Sequence, residues 1–127
     1  MKRISAGAVA IEEMPDVSTF VIIFAQNPDG RGERLELQRA LTFDEQDHDL
    51  GMDTYCLCMA SGATHYGGVL SWRLDDGGLV LRLTAEAAAA LGVDDVVRVD
   101  VLMTPALRAA LLAGLKRVLV GVDEATA

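Results

Sequence analysis

The turn sequence Asp75-Asp76-Gly77-Gly78 restricts the fold of this chain more than any other feature, because alternating apolar and polar residues flank it on both sides. An Asp-Gly pair favours the tight reversal that joins two antiparallel strands. The apolar positions before the turn are Leu70, Trp72 and Leu74, and those after it are Leu79, Leu81 and Leu83. Alternate side chains of a strand share one face, so the segment predicts a hairpin with one apolar face. Trp72 is expected to be its main core anchor.

Three strands are predicted in the first third of the chain. Residues 4–11 are mostly small and apolar, and a pair of glutamates and a proline turn end this first strand. Residues 20–25 are apolar without alternation, so we expect a central strand that is covered on both faces. A dense turn cluster follows, after which residues 33–40 should return antiparallel.

Further strands are predicted over residues 54–59, 64–74 and 96–102. The second of these contains the pair Gly67-Gly68. Glycines within a strand pattern indicate a bulge or a position where another backbone comes close. We therefore expect one strand over residues 64–74 that is irregular at its glycine pair.

Two helices are predicted in the last third of the chain. Thr84 is a suitable N-cap for an alanine-rich helix that ends at Leu91-Gly92. Thr104-Pro105 provides a second helix start, and leucines at helical spacing continue this helix to about Leu119. Residues 116–122 also alternate, so a strand over them is the competing prediction.

These elements predict a single α+β domain over residues 1–127, with a mostly antiparallel sheet of about seven strands and two C-terminal helices packed on it. The length fits one domain. A composition of 51% hydrophobic and 24% charged residues excludes intrinsic disorder.

No apolar run approaches the roughly 20 residues of a transmembrane helix, and the first residues do not form an export signal. We therefore expect a cytoplasmic protein.

Carboxylates are concentrated on one short segment without a basic neighbour, since no Lys or Arg lies between Ala40 and Trp72. They are Asp44, Glu45, Asp47, Asp49 and Asp53. Their mutual repulsion costs stability unless a partner compensates for it, so the cluster favours a protein-binding surface. Asp75 and Asp76 at the hairpin turn are predicted to extend this surface. The net charge of −8 argues against nucleic acids and anionic membranes as partners and is compatible with a basic protein.

Cys56, Cys58 and His65 suggest a competing function, because thiolates and imidazole bind zinc or form a nucleophile and its base. In the second case Asp53 would orient the imidazole. The alternative function is therefore a small metal-binding or Cys/His-dependent enzyme domain. Two cysteines at this spacing share a face of a strand and rarely form a disulfide with each other, and we expect them to pack on the inner face. The preferred prediction assigns no catalytic, cofactor or metal residues.

The same carboxylates could also hold a hard cation, because Asp47, Asp49 and Asp53 offer oxygen ligands. The segment lacks the glycine and the closing glutamate of an EF-hand loop. The sequence therefore does not favour a calcium site over an exposed acidic loop.

Three stretches resemble the immunity protein 10 family of bacterial polymorphic-toxin systems. They are FDEQDHDLGMDTYC from Phe43, THYGGVLSW from Thr64 and LVLRLTAEAAAALG from Leu79. The resemblance extends over roughly residues 20–120, and LGMDTYC and THYGGVLSW are its most specific parts. It implies a protein that binds and neutralises a toxin domain encoded beside it, without catalytic residues of its own. A cognate toxin domain, expected to be basic, is therefore the predicted partner.

Overall fold

Strands dominate the fold, as the alternating sequence predicts. The computed structural model describes residues 1–50 and 53–125, apart from the side chain of Asp47. Its elements are β1 (Lys2–Ala6), β2 (Ala8–Met14), β3 (Thr19–Ala25), β4 (Arg34–Ala40), α1 (Glu45–Asp49), β5 (Cys56–Met59), β6 (Thr64–Tyr66), β7 (Val69–Asp75), β8 (Gly78–Leu83), α2 (Ala85–Leu91), β9 (Val96–Val101), α3 (Pro105–Val118) and β10 (Asp123–Glu124), with a 3₁₀ turn at Pro15–Val17.

The strands form two sheets of five. Sheet A has the order β1-β9-β8-β7-β10, and sheet B has the order β2-β3-β4-β5-β6. Neighbouring strands are antiparallel except β1 with β9 and β7 with β10, which are parallel. The α+β class is confirmed. The sequence predicts about seven strands in one sheet, whereas the described residues form ten strands in two sheets. Of the two longer helices, α3 is C-terminal and α2 lies between β8 and β9.

Gly7 divides the first predicted strand between the two sheets, so the prediction of one strand over residues 4–11 is wrong. The Gly7 N–H donates to the carbonyls of Ala25 (2.9 Å) and Gln26 (3.1 Å). A Cβ atom at Gly7 would lie 2.6 Å from the Gln26 carbonyl oxygen, so only glycine fits this crossing. The chain therefore enters sheet A with β1 and continues in sheet B with β2.

The pair Gly67-Gly68 returns the chain from sheet B to sheet A, and the prediction of one strand over residues 64–74 is also wrong. Both glycines have positive φ, at 72° and 93°, which breaks the strand into β6 and β7. The position is closely approached, because a Cβ atom at Gly68 would lie 2.5 Å from the Ala87 Cβ of α2, but this neighbour is a side chain and not the predicted backbone.

The hairpin formed by β7 and β8 is confirmed, with Asp75 paired to Gly78. A register shift between Val69 and Ser71 changes the alternation at the start of β7. Leu70 therefore lies on the outer face, where 57% of it is exposed, although the sequence places it on the apolar face. Trp72 is buried as predicted, with 2% exposed.

Both longer helices begin where their capping residues predict, and α2 also ends where Gly92 predicts. The Thr84 and Thr104 hydroxyls accept hydrogen bonds from the backbone N–H groups of Ala87 and Leu107, each at 3.1 Å. Gly92 ends α2 in the left-handed conformation. Helix α3 extends to Val118, so the prediction of a helix to about Leu119 is confirmed over that of a strand.

One hydrophobic core joins the inner faces of both sheets to α2 and α3. Its largest fully buried side chains are Phe24, Ile4, Ile22, Leu35, Leu37, Leu57, Leu79, Leu81, Leu111, Leu115, Leu119 and Val99. Strand β3 has a neighbour on each side, but only its inner face lies in this core, and Ile23 on its outer face is partly exposed. Among the residues described, no helix is long and apolar enough to span a bilayer.

Candidate functional site

The acidic segment, which we define as residues 43–50 and 53, contains the helical turn α1 and lies between β4 and β5. Glu45 and Asp49 stand at the two ends of α1, and both are exposed. Residues four apart in a helix lie on the same side of it, so the two carboxylates point in a similar direction. Both are open to solvent, as are Asp44 and Asp53 of the predicted acidic surface.

Arg39 contacts both the acidic segment and the end of α3. Its guanidinium carbon lies 5.9 Å from the centre of the Phe43 ring, and its Nε donates to the Val118 carbonyl at 2.8 Å. The Phe43 ring is in turn 6.4 Å from the ring of His48. The segment therefore has a basic neighbour in Arg39 of β4, which lies just before the stretch of sequence without Lys or Arg.

Asp53 is held by a histidine rather than left free. The Nδ1 atom of His48 lies 2.6 Å from Asp53 Oδ2, and this hydrogen bond is the main reason why the pKa of Asp53 is lowered. The following strand is fixed by Tyr55, whose hydroxyl accepts the Val69 N–H at 2.8 Å. Burial raises the pKa of Tyr55, which keeps this hydroxyl neutral.

Asp75 at the hairpin is engaged in an ion pair within the protein. Arg98 donates to both of its oxygens, at 2.8 and 3.1 Å, and this contact lowers the pKa of Asp75 to about 2. The Gly77 N–H donates to the same carboxylate at 2.8 Å and closes the turn. Asp76, beside it, is exposed.

The two groups of predicted site residues lie at opposite ends of α3. Arg108 near the start of the helix donates to the carbonyls of Leu74 and Asp75, whereas Val118 at its end accepts from Arg39. At 1.5 Å per residue these ends are about 15 Å apart along the helix. The structure therefore does not bring Asp75 and Asp76 together with the acidic segment.

The cysteines share a face of β5, with their sulfur atoms 3.7 Å apart, but the prediction that this is the inner face is wrong. Leu57 between them is fully buried in the core, so Cys56 and Cys58 lie on the outer face of sheet B. His65 pairs with Leu57 in the register and therefore lies on the opposite face from both thiols. The sheet itself separates the base from the nucleophile of the proposed Cys/His site.

The electrostatic environment also disfavours a reactive thiol. Burial raises the pKa of Cys56, and burial together with the neighbouring Cys56 raises the pKa of Cys58 to about 12. An activated cysteine needs the opposite shift, because the thiolate is the nucleophile and the metal ligand. Asp53 bonds His48 and not His65, so it does not orient the imidazole of the alternative site.

The alternative of a cation site at Asp47, Asp49 and Asp53 falls partly outside the described residues, because the side chain of Asp47 is not described. Within residues 1–50 and 53–125, no three His, Cys, Asp or Glu side chains come close enough to hold a metal ion. Asp53 also has its partner in His48. The described side chains therefore do not form a cation site.

Comparisons with known proteins give one match. Neither the curated proteins nor the solved structures include a sequence that matches this chain. The sequence profile described as immunity protein 10 matches residues 5–109, which is most of the chain and includes all of sheet B, strands β7 to β9 of sheet A and the acidic segment. The chain therefore belongs to the immunity protein 10 family.

Proposed function

We propose that this protein is a cytoplasmic immunity protein that acts as one domain and neutralises a cognate toxin domain by binding it through an acidic surface. Membership of the immunity protein 10 family supports a toxin-neutralising function. The observation that supports this particular surface is the exposure of Glu45 and Asp49 on a turn that Arg39 and Phe43 hold against the fold. Carboxylates presented in this way are available to a basic partner.

The proposed surface consists of Asp44, Glu45, Asp47, Asp49 and Asp53. Its role is to attract a basic toxin domain and to orient it during the encounter, since complementary charges act mainly on association rate and specificity. A toxin that cleaves nucleic acids would have a basic substrate site, which an acidic inhibitor could cover. Neutralisation would then result from blocking access to that site, without chemistry on the immunity protein.

The hairpin contributes to this proposal only through Asp76. We assign Asp75 to the stability of the turn, because Arg98 and the Gly77 N–H already occupy its oxygens. Asp76 is exposed but lies at the far end of α3 from the acidic segment. A toxin would need to extend along α3 to contact both regions.

The competing function, a metal-binding or Cys/His-dependent enzyme domain, receives no support from the geometry. Cys58 and His65 lie on opposite faces of sheet B, and the pKa of Cys58 is raised to about 12. We therefore prefer a role in binding to a role in catalysis.

A bacterial protection assay tests the proposal. Cells would express the toxin domain encoded beside this gene together with either the native protein or the double reversal Glu45→Lys/Asp49→Lys. We expect the native protein to preserve growth and the variant to protect poorly while accumulating to the same level. The control Asp123→Lys/Glu124→Lys makes the same change in net charge on β10, where both residues are exposed, and should protect normally.

If the purified native protein and the toxin domain form no complex, the proposed function is wrong. If the complex forms and the Glu45/Asp49 variant protects as well as the control, the function stands and the acidic segment is not part of the interface.

A further inference from the structure

The outer face of sheet B contains an apolar groove of about 330 Å³ that neither long helix covers. Its apolar lining comes from the end of β2, the 3₁₀ turn and strand β3, and its polar wall comes from β4. The lining includes Met14, Val17, Val21, Ile23, Glu36 and Gln38. Large apolar side chains rarely cluster on a surface without a binding role, so this groove is a candidate for partner contact.

Two of the lining residues are held in exposed positions. Met14 is 40% exposed and Val17 is 61% exposed. The turn that presents them is fixed by hydrogen bonds from the Ser18 N–H to the Pro15 carbonyl (3.1 Å) and from the Thr19 hydroxyl to the Val17 carbonyl (2.9 Å). Ser18 also adopts a left-handed conformation with φ of 49°, which is unusual for a residue other than glycine. The turn therefore presents an apolar edge with a defined shape.

Polar side chains on the wall of the groove pair with one another. Gln38 Nε2 donates to Glu36 Oε2 at 2.7 Å, and the guanidinium of Arg34 lies 3.2 Å from Glu36 Oε1. A small-molecule site needs polar groups that are free to orient its ligand. This groove instead offers an apolar surface beside polar side chains that are already paired, which suits the apolar side chains of another protein.

The rim of the groove is acidic. Glu12 pairs with Val21 in the register of β2 and β3, so it lies on the same outer face, and Asp16 belongs to the turn between Met14 and Val17. Both carboxylates are exposed, and neither forms an ion pair with another described residue. The chain that leads into the acidic segment passes this turn, because the Leu41 N–H donates to the Ser18 carbonyl at 2.8 Å.

These charges determine which occupant fits. Two copies of a chain with a net charge of −8 would bring like charges together at this rim, which costs binding energy. A partner with an apolar anchor surrounded by basic residues matches both the groove and its border. Stable interfaces have this arrangement, with a desolvated apolar centre and a polar rim.

We propose that this groove receives apolar side chains of the toxin domain, and that Glu12 and Asp16 continue the acidic segment around them. This inference rests on the proposed function, and it assigns the two parts of the surface different tasks. The acidic segment accelerates association, and the groove holds the bound toxin. Loss of the groove should therefore act on dissociation, since most substitutions at the centre of an interface change the dissociation rate.

The test is the dissociation rate of the complex with the purified toxin domain encoded beside this gene. In Met14→Gln/Val17→Asn we expect this rate to rise by about tenfold or more, with an unchanged association rate and salt dependence. The control Leu102→Gln/Val120→Asn removes apolar side chains that are 90% and 60% exposed outside the groove, and it should dissociate like the native protein. Val17→Asn alone gives the same readout if the double variant does not fold.

Three results would overturn the inference. Dissociation of the groove variant within about twofold of the control would exclude the groove from the interface, while the native complex would still support the proposed function. Absence of any complex with the native protein would remove the proposed function and this inference together. A native dimer in sedimentation that the groove substitutions dissociate would assign the groove to a second copy of the chain.

Discussion

The acidic segment and the outer face of sheet A both contain carboxylates close together, but they differ in how those charges are neutralised. On sheet A, one guanidinium, that of Arg98, bonds Asp75 and also donates to Asp100 at 2.8 Å. Arg3 on the neighbouring strand donates to Asp100 as well. On the acidic segment, Glu45 and Asp49 are exposed, and the nearby Arg39 contacts the Phe43 ring and the Val118 carbonyl instead.

The difference shows that the location of a carboxylate decides its role more than the number of carboxylates around it. Strand pairing sets Arg3 beside Arg98 and Arg98 within reach of Asp75 and Asp100, so charges on this face stabilise the fold. On the helical turn α1, neither Glu45 nor Asp49 forms an ion pair with another described residue. These two charges are available for a partner, and we expect substitutions in the two regions to have opposite effects on stability and binding.

Truncation of Trp72 should have the largest effect on stability, because it removes a large buried side chain from the core on the inner face of sheet A. Trp72 is 2% exposed, and Trp72→Ala should destabilise the fold by about 3–5 kcal/mol. That is a large fraction of the stability of a small domain. Urea unfolding would measure the loss. A cost below about 1 kcal/mol would contradict the packing described for this sheet.

Removal of the Asp75 charge should have the second largest effect. Asp75→Asn weakens the contact with Arg98 and should cost about 1–2 kcal/mol near neutral pH. The folded state lowers the pKa of Asp75 from 3.8 to about 2, so its ionised form contributes stability above pH 4, and this contribution disappears as the pH falls towards 2.

Unfolding of the native protein and of this variant across that pH range checks the prediction. Asp49→Asn, on the exposed helical turn, is the matched control and should change stability by less than about 0.5 kcal/mol. Equal costs for the two substitutions at neutral pH would remove the distinction between the two regions.

Arg39 should have a smaller and more local effect. Arg39→Gln removes the contacts with the Phe43 ring and the Val118 carbonyl, and we expect a cost of about 1 kcal/mol. Faster hydrogen exchange should be confined to the acidic segment and the end of α3. Uniform acceleration over the whole chain would show that Arg39 supports the core and not this segment.

The sequence predicts those parts of the fold that depend on residues close together in the chain. The hairpin at Asp75–Gly78 and the caps at Thr84 and Thr104 follow from turn chemistry and from side-chain bonds within three residues. The change of sheet at Gly7 depends on Gln26, a residue distant in sequence, so no local pattern reveals it. Tertiary contacts therefore decide the number of sheets.

The candidate site shows the same limit. Alternation correctly places Cys56 and Cys58 on one face of their strand. Which of the two faces they occupy depends on which face of the sheet packs against the core. The acidic residues are evident from sequence, whereas the ion pair of Asp75 with Arg98 is not, because 23 residues separate the two along the chain. In the sequence, Met14 and Val17 belong to an ordinary turn. The groove becomes evident only in the structure, where both side chains are exposed beside β3.

The association rate of the native protein with its toxin domain, measured over a range of salt concentrations, tests the central claim most directly. The account predicts a steep fall as salt rises, because the Debye length shortens from about 30 Å at 0.01 M to about 8 Å at 0.15 M. Glu45→Lys/Asp49→Lys should associate more slowly at low salt and show a flatter dependence, with its free energy of unfolding within about 0.5 kcal/mol of native. Asp123→Lys/Glu124→Lys, with the same net charge, should retain a slope close to native. Identical slopes for the native protein and the Glu45/Asp49 variant would contradict the claim that the acidic segment attracts the toxin.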